Sequence, residues 1–195
     1  MTERYRPVSQ EILSDDWGTL TKHSFDYVRG DGTVERQVRE VYDRGHAVAC
    51  LLHDPDADTL LLVRQFRLPM QVAGLDPFLI EVPAGLLEGA EPAERLRAEL
   101  MEETGYAATA LDRVFDLVMS PGSVTECLSC YLGRYAHGDR TGAGGGAADE
   151  GEDIEVLHVP VAEVTAMMAR GEIRDAKTVA LIQAFLLRRA GGQDR

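Results

Sequence analysis

No stretch of the 195-residue chain approaches the roughly 18 consecutive apolar residues that a membrane span requires. The opening Met1-Thr2-Glu3-Arg4-Tyr5-Arg6-Pro7 lacks the apolar segment of a secretory leader, so no membrane partner and a cytoplasmic location are expected. Cysteine is scarce. Cys50, Cys127 and Cys130 are too few and too scattered for a disulfide framework, which fits a reducing compartment. Cys127 and Cys130 form a lone C-x-x-C, a spacing that sends the two side chains to opposite faces of a strand, so buried thiols are favoured over a zinc site. Positive charge is also in short supply, with 20 Lys and Arg against 33 Asp and Glu and a net charge of −13. That balance argues against nucleic acid or an anionic membrane surface as a partner. It also means that an anionic phosphate substrate would need a divalent cation to approach. The G-x-S-x-G elbow and the G-x-x-x-x-G-K-[ST] loop are absent, which removes serine-hydrolase and P-loop chemistry. None of the five histidines has a partner at metal-site or nucleophile spacing.

What the sequence does contain is 45% apolar and 27% charged residues, the balance of a globular protein with room for one principal domain and a small accessory element. Residues 18–28 and 33–42 are rich in Thr, Tyr, Phe and Val around the turn Arg29-Gly30-Asp31-Gly32, which predicts a hairpin. A lone hairpin is barely stable, so it must lie on the main domain or on a second subunit. Further strands are expected over 47–53, 59–66, 78–82, 113–118, 127–135 and 154–159. Helices are expected over 92–104, with Pro92 in the first turn and Gly105 as the cap, and over 161–169 and 176–189. The sum is a mixed α/β domain over 44–195 with an antiparallel β element over 1–43. Residues 137–151 are rich in glycine, which suits either a disordered surface loop or a functional lid.

On the helix over 92–104, Ala93, Leu96 and Leu100 form a core-facing stripe, Glu99 and Glu103 lie along its edge, and Glu102 is one step further round. Such carboxylates repel. Either they form a solvated acidic face relieved by Arg95, or they hold a hard cation such as magnesium, which prefers oxygen ligands shared with substrate phosphates.

Residues 80–106, IEVPAGLLEGAEPAERLRAELMEETGY, resemble the signature of the Nudix hydrolases, with Gly85, Glu99, Glu102, Glu103 and Gly105 at matching positions. Ala98 stands where that family usually has arginine, and the loop after Gly85 is one residue short, leaving Ala90 where a glutamate is usual. The flanks are similar to the ADP-ribose and nucleoside-diphosphate-sugar pyrophosphatase branch over nearly the whole chain. The segments concerned are Arg39 to Gly45, Val63 to Arg67, Met119 to Gly122, Glu152 to Val156 and Gly171 to Thr178. The GDP-mannose pyrophosphatase subgroup, which shares both departures, is the most similar.

The resemblance implies a Nudix α/β/α sandwich with a mixed central sheet, and Mg2+, with Mn2+ as a substitute, bound by the Ala84 carbonyl, Glu99, Glu103 and Glu152, with Glu102 in support. It implies that Glu152, or alternatively Glu150, activates water from a loop whose glycines let it close over substrate. It further implies substrate contacts from Gly85, Leu86, Arg67, Glu126 and Lys177. Arg39 and Glu40, and Trp17 as a base-stacking ring, would come from the N-terminal arm of a homodimer partner. The implied reaction is hydrolysis of GDP-mannose to GMP and mannose 1-phosphate. The alternatives are the same chemistry on ADP-ribose, giving AMP and ribose 5-phosphate, and a non-catalytic nucleotide-sugar sensor.

Overall fold

The computed structural model describes residues 4–147 and 151–192. The chain divides into two compact units, one formed by 1–46 with 118–128 and a larger one by 47–117 with 129–195.

The smaller unit is a three-stranded antiparallel sheet in the order β1 (Tyr5–Asp15), β2 (Thr19–Val28), β3 (Val34–Asp43). The expected hairpin is β2 and β3. Gly32 takes a positive φ of 85° in its turn, and Asp31 Oδ1 accepts the Thr33 amide at 2.9 Å. β1 is a strand that the sequence pattern did not reveal. It is exposed along nearly its whole length, so it carries no apolar alternation, and Pro7 sits beside a register shift, where a missing amide is tolerated at an edge. Residues 118–128 are tied to β3 by Tyr42 N to Ser123 O at 2.8 Å and Thr125 N to Tyr42 O at 3.1 Å.

The larger unit is built on a mixed seven-stranded sheet. Its main path is β10 (Glu155–Pro160), β5 (Thr59–Phe66), β4 (Ala47–Asp54), β9 (Cys127–Arg134), β8 (Ala110–Val118). β4 and β5 pair only over Leu52–Asp54 and Thr59–Leu61, and beyond that point they part. The gap is filled by one continuous segment: β6 (Phe78–Glu81) pairs with β5, and β7 (Ala84–Leu86) pairs with β4. This wedge delivers Glu81, Ala84 and Gly85 together. Between β5 and β6 a short helix, α1 (Leu68–Val72), escaped the sequence reading because five residues are too few to show helical periodicity.

Helices cover both faces of this sheet. α2 (Pro92–Thr104) packs on β4 and β7 through Leu96 and Leu100, in one core with Val48, Cys50, Leu52, Leu61, Tyr106 and Tyr131, and with Ala93 against its edge. The alternate β4 face carries His53, whose ring meets Phe185 at 4.8 Å. There lies α4 (Ala176–Ala190), with buried Leu181, Ile182 and Phe185, while α3 (Val161–Ala169) packs on β10. Among the described residues no helix is long and apolar enough to cross a membrane.

Candidate active site

α2 presents its carboxylates to the wedge. Pro92 opens the helix and Gly105 closes it in the left-handed conformation at φ 76°, its amide bonded to Met101 O at 2.9 Å. In between, Glu99 and Glu103 are buried, and Glu103 is only 2% exposed, so they are not a solvated face. Arg95 bonds Glu99 at 2.5 Å and donates from Nε to Leu86 O at 2.9 Å. Glu103 Oε2 accepts the Ala84 amide at 3.1 Å. A side chain at Gly85 would overlap the Glu99 carboxylate, so the glycine leaves the space in which that carboxylate sits. Burial, then the charges of Glu99 and Glu152, push the Glu103 carboxyl well above the usual glutamate range.

The glycine-rich segment docks on the C-terminal end of α2. Amides of Thr141 and Gly142 donate to Gly105 O, both at 3.0 Å, Gly145 N donates to Glu103 O at 2.9 Å, and Gly146 N to Glu102 O at 3.2 Å. These bonds satisfy carbonyls that a helix end leaves without partners. Gly144 has a positive φ of 62°, and a side chain there would clash with the Thr104 backbone. Residues 141–146 are therefore specified by close packing, where composition suited either a disordered loop or a functional lid. The segment leads on to Glu152, half-buried, whose Oε2 accepts the Ala147 amide at 3.0 Å. Glu102 is half-buried on α2, and Glu150 lies outside the described residues.

Beside the carboxylates stands an ion network that the sequence reading found only in part. Arg67, at the N-cap of α1, gives Nε to Glu81 Oε1 at 2.7 Å and Nη2 to Glu81 Oε2 at 3.1 Å. Lys177 Nζ bonds Glu81 Oε2 and also meets Asp175 Oδ2 at 3.0 Å. Asp175 is the N-cap of α4, accepting Thr178 N at 3.0 Å, and Thr178 Oγ1 accepts Val82 N at 2.8 Å, which joins the start of α4 to the end of β6. Burial alone would raise Glu81, but Lys177 and Arg67 hold it below the ordinary glutamate value. Burial would likewise lower Lys177, yet Glu81 and Asp175 keep it raised. Glu81, Asp175 and Thr178 were missed. The available signal was a single charge inside the apolar run Phe78-Leu79-Ile80-Glu81-Val82.

The remaining expected residues belong to the smaller unit. Trp17 is 78% exposed, with the Arg44 guanidinium 3.2 Å from its ring centroid. Arg39 and Glu40 are exposed on β3. Arg39 donates to Val38 O at 2.7 Å and, with Tyr5, Thr21, His23 and Phe25, lines a groove of about 590 Å³. Glu126 is half-buried, and its carbonyl accepts the Met119 amide at 3.2 Å. Cys127 is exposed, a correction to the expectation of buried thiols. Strand alternation buries only Cys130 of that pair, and Cys50 is buried on β4.

Residues 4–42 match the GDP-mannose pyrophosphatase NudK N-terminal domain, and residues 43–184 match the NUDIX domain. The chain belongs to the Nudix hydrolases. Among its relatives, a GDP-mannose pyrophosphatase of Pectobacterium atrosepticum is 46% identical over 93% of both chains. One from Escherichia coli is 44% identical over 93% of this chain and 95% of its own. A solved structure titled an ADP compounds hydrolase superposes with a TM-score of 0.75 over 98% of this chain at 21% identity, a likeness of fold.

Nudix hydrolases generally need divalent metal ions. Among the described residues no three acidic, histidine or cysteine side chains already stand in ligating positions, since Glu99 is drawn to Arg95 and Glu103 to the Ala84 amide. The donor set nevertheless fits such an ion. Glu99, Glu103 and Glu152 supply hard oxygen atoms, and the repulsion centred on buried Glu103 is what a divalent cation would remove.

Proposed function

We propose that this Nudix hydrolase cleaves the pyrophosphate bond of GDP-mannose, releasing GMP and mannose 1-phosphate. The observation that carries the proposal is a buried carboxylate, Glu103, repelled by both Glu99 and Glu152, with the guanidinium of Arg67 beside it. Full-length similarity to GDP-mannose pyrophosphatases supports the substrate. Magnesium, with manganese as a substitute, would be held by the Ala84 carbonyl, Glu99, Glu103 and Glu152, with Glu102 in support. It would supply charge that neutralises the pyrophosphate and acidifies the attacking water. Glu152, with Glu150 as the alternate, takes that water's proton on its carboxylate. Arg67 grips a phosphate with charge-assisted bonds, and Gly85 and Leu86 offer backbone at the wedge. Lys177, held by Glu81 and Asp175, adds positive charge toward the same phosphates, and Glu126 is assigned to the sugar.

Residues 1–43 form the dimerisation element in this reading, and Trp17, Arg39 and Glu40 reach the nucleotide bound by the partner. The support is the exposure of Tyr5, Val8, Ile12, Val34 and Val38 on this three-stranded sheet. Three free cysteines suit the cytoplasm. The test is a substrate panel with GDP-mannose and ADP-ribose in labelled water. Preferential release of mannose 1-phosphate supports the assignment, equal rates on both remove the narrow specificity, and binding without turnover makes the protein a sensor.

A further inference from the structure

We infer that Glu81 is a positioning residue for the phosphate grip, aiming Arg67 through a side-on carboxylate clamp and tying it to Lys177. This rests on the pyrophosphatase reading above. A guanidinium has five donors arranged in a fork. Glu81 takes the side edge, Nε and Nη2, at 2.7 and 3.1 Å. The end-on pair, Nη1 with the second Nη2 hydrogen, has no hydrogen-bond partner among the described residues and is the edge that takes a phosphate bidentately. Arg67 is 39% exposed in its side chain, whereas Glu81 is 2% exposed, so the clamping carboxylate is buried while part of the arginine side chain stays open to solvent.

The clamp is itself fixed. Glu81 ends β6 and is paired across from Val63 on β5, and the adjacent Val82 amide is bonded to Thr178 at the start of α4. The Arg67 backbone is pinned by its amide to Pro77 O at 2.8 Å and by its carbonyl to Met70 N at 3.0 Å. Lys177, shared between Glu81 and Asp175, prevents the Glu81 carboxylate from swinging away. Stability alone does not require this arrangement, because a buried ion network is commonly replaceable by apolar residues without loss. A fixed direction for the Arg67 fork does require it.

The test is a double-mutant cycle on the magnesium-loaded protein with GDP-mannose, reading kcat and KM alongside thermal melting. Glu81→Asp keeps the charge and withdraws the carboxylate by one methylene, a displacement that costs on the order of 10- to 100-fold in kcat/KM if Arg67 is misaimed. Arg67→Ala is expected to cost about 100-fold. The two together are expected to cost within about 3-fold of Arg67→Ala alone, because the clamp acts only through the arginine. Glu81→Gln, of the same shape, is run in parallel as the second variant. Losses that multiply, or a Glu81→Asp variant with wild-type kcat/KM, overturn the inference while leaving the pyrophosphatase reading intact. An Arg67→Ala variant with wild-type kcat/KM removes the phosphate grip on which both rest.

Discussion

Replacing Glu103 by glutamine tests the electrostatics of the carboxylate cluster without any substrate. Glutamine keeps the volume and can still accept the Ala84 amide that Glu103 Oε2 accepts at 3.1 Å. It removes the charge that burial, Glu99 and Glu152 oppose. In metal-free wild type the folded-state pKa of Glu103 lies above its unfolded value, so its favourable contribution is complete below the unfolded pKa. That contribution is lost as pH rises toward the folded pKa. Each pH unit in that window over which the folded protein keeps a proton that the unfolded chain has released costs about 1.4 kcal/mol. For a chain of this size that is a fall in Tm of about 3 to 6 °C per unit. Melting curves in chelator, taken as pH rises from the ordinary glutamate value, should therefore show the wild type losing ground to Glu103→Gln, with the other titrating groups cancelling in the difference. Magnesium at about 100 times its Kd should then restore about 2.7 kcal/mol to the wild type and far less to the variant. Parallel pH dependences, or equal stabilisation of both by magnesium, would refute the reasoning.

Gly85→Ala should push the Glu99 carboxylate aside and lower kcat/KM by about 100-fold, measured as mannose 1-phosphate release, with near-native circular dichroism. Leu100→Ala, in the core under α2, should cost about 2 to 5 kcal/mol in denaturant unfolding, and a loss under 1 kcal/mol would mean that α2 is not anchored there. Burial, then His137 and Arg140, lower the pKa of His158, whose ring nitrogens meet Tyr135 and Tyr106 at 2.8 and 3.4 Å. The neutral ring's contribution is present above the unfolded pKa and is lost as pH falls through the folded value. A nuclear magnetic resonance titration of His158 should thus give a midpoint below 6.5, and one at or above 6.5 contradicts the burial.

Elements with strong local pattern were legible: β5 and α2 run as their periodicity and caps indicate, and the Glu99 and Glu103 positions follow from helical spacing. The site's second half was not legible, because it depends on contacts distant in sequence. Glu81 and Lys177 are 96 residues apart, and nothing local to either records the other. The 137–151 segment shows the same limit from the other side. Its glycines suited either a disordered loop or a lid, yet Gly142 and Gly144 occupy places where a side chain would meet backbone or the Met101 sulfur. β1 was hidden because an edge strand exposed on both faces has no buried side to impose alternation.

The most direct measurement is magnesium-dependent turnover of GDP-mannose by wild type, Glu103→Gln and Glu152→Gln, each checked for a native melting transition. The account predicts robust turnover by the wild type that chelator abolishes, and losses of at least about 100-fold in kcat for both folded variants. Three proteins with equal turnover would contradict it.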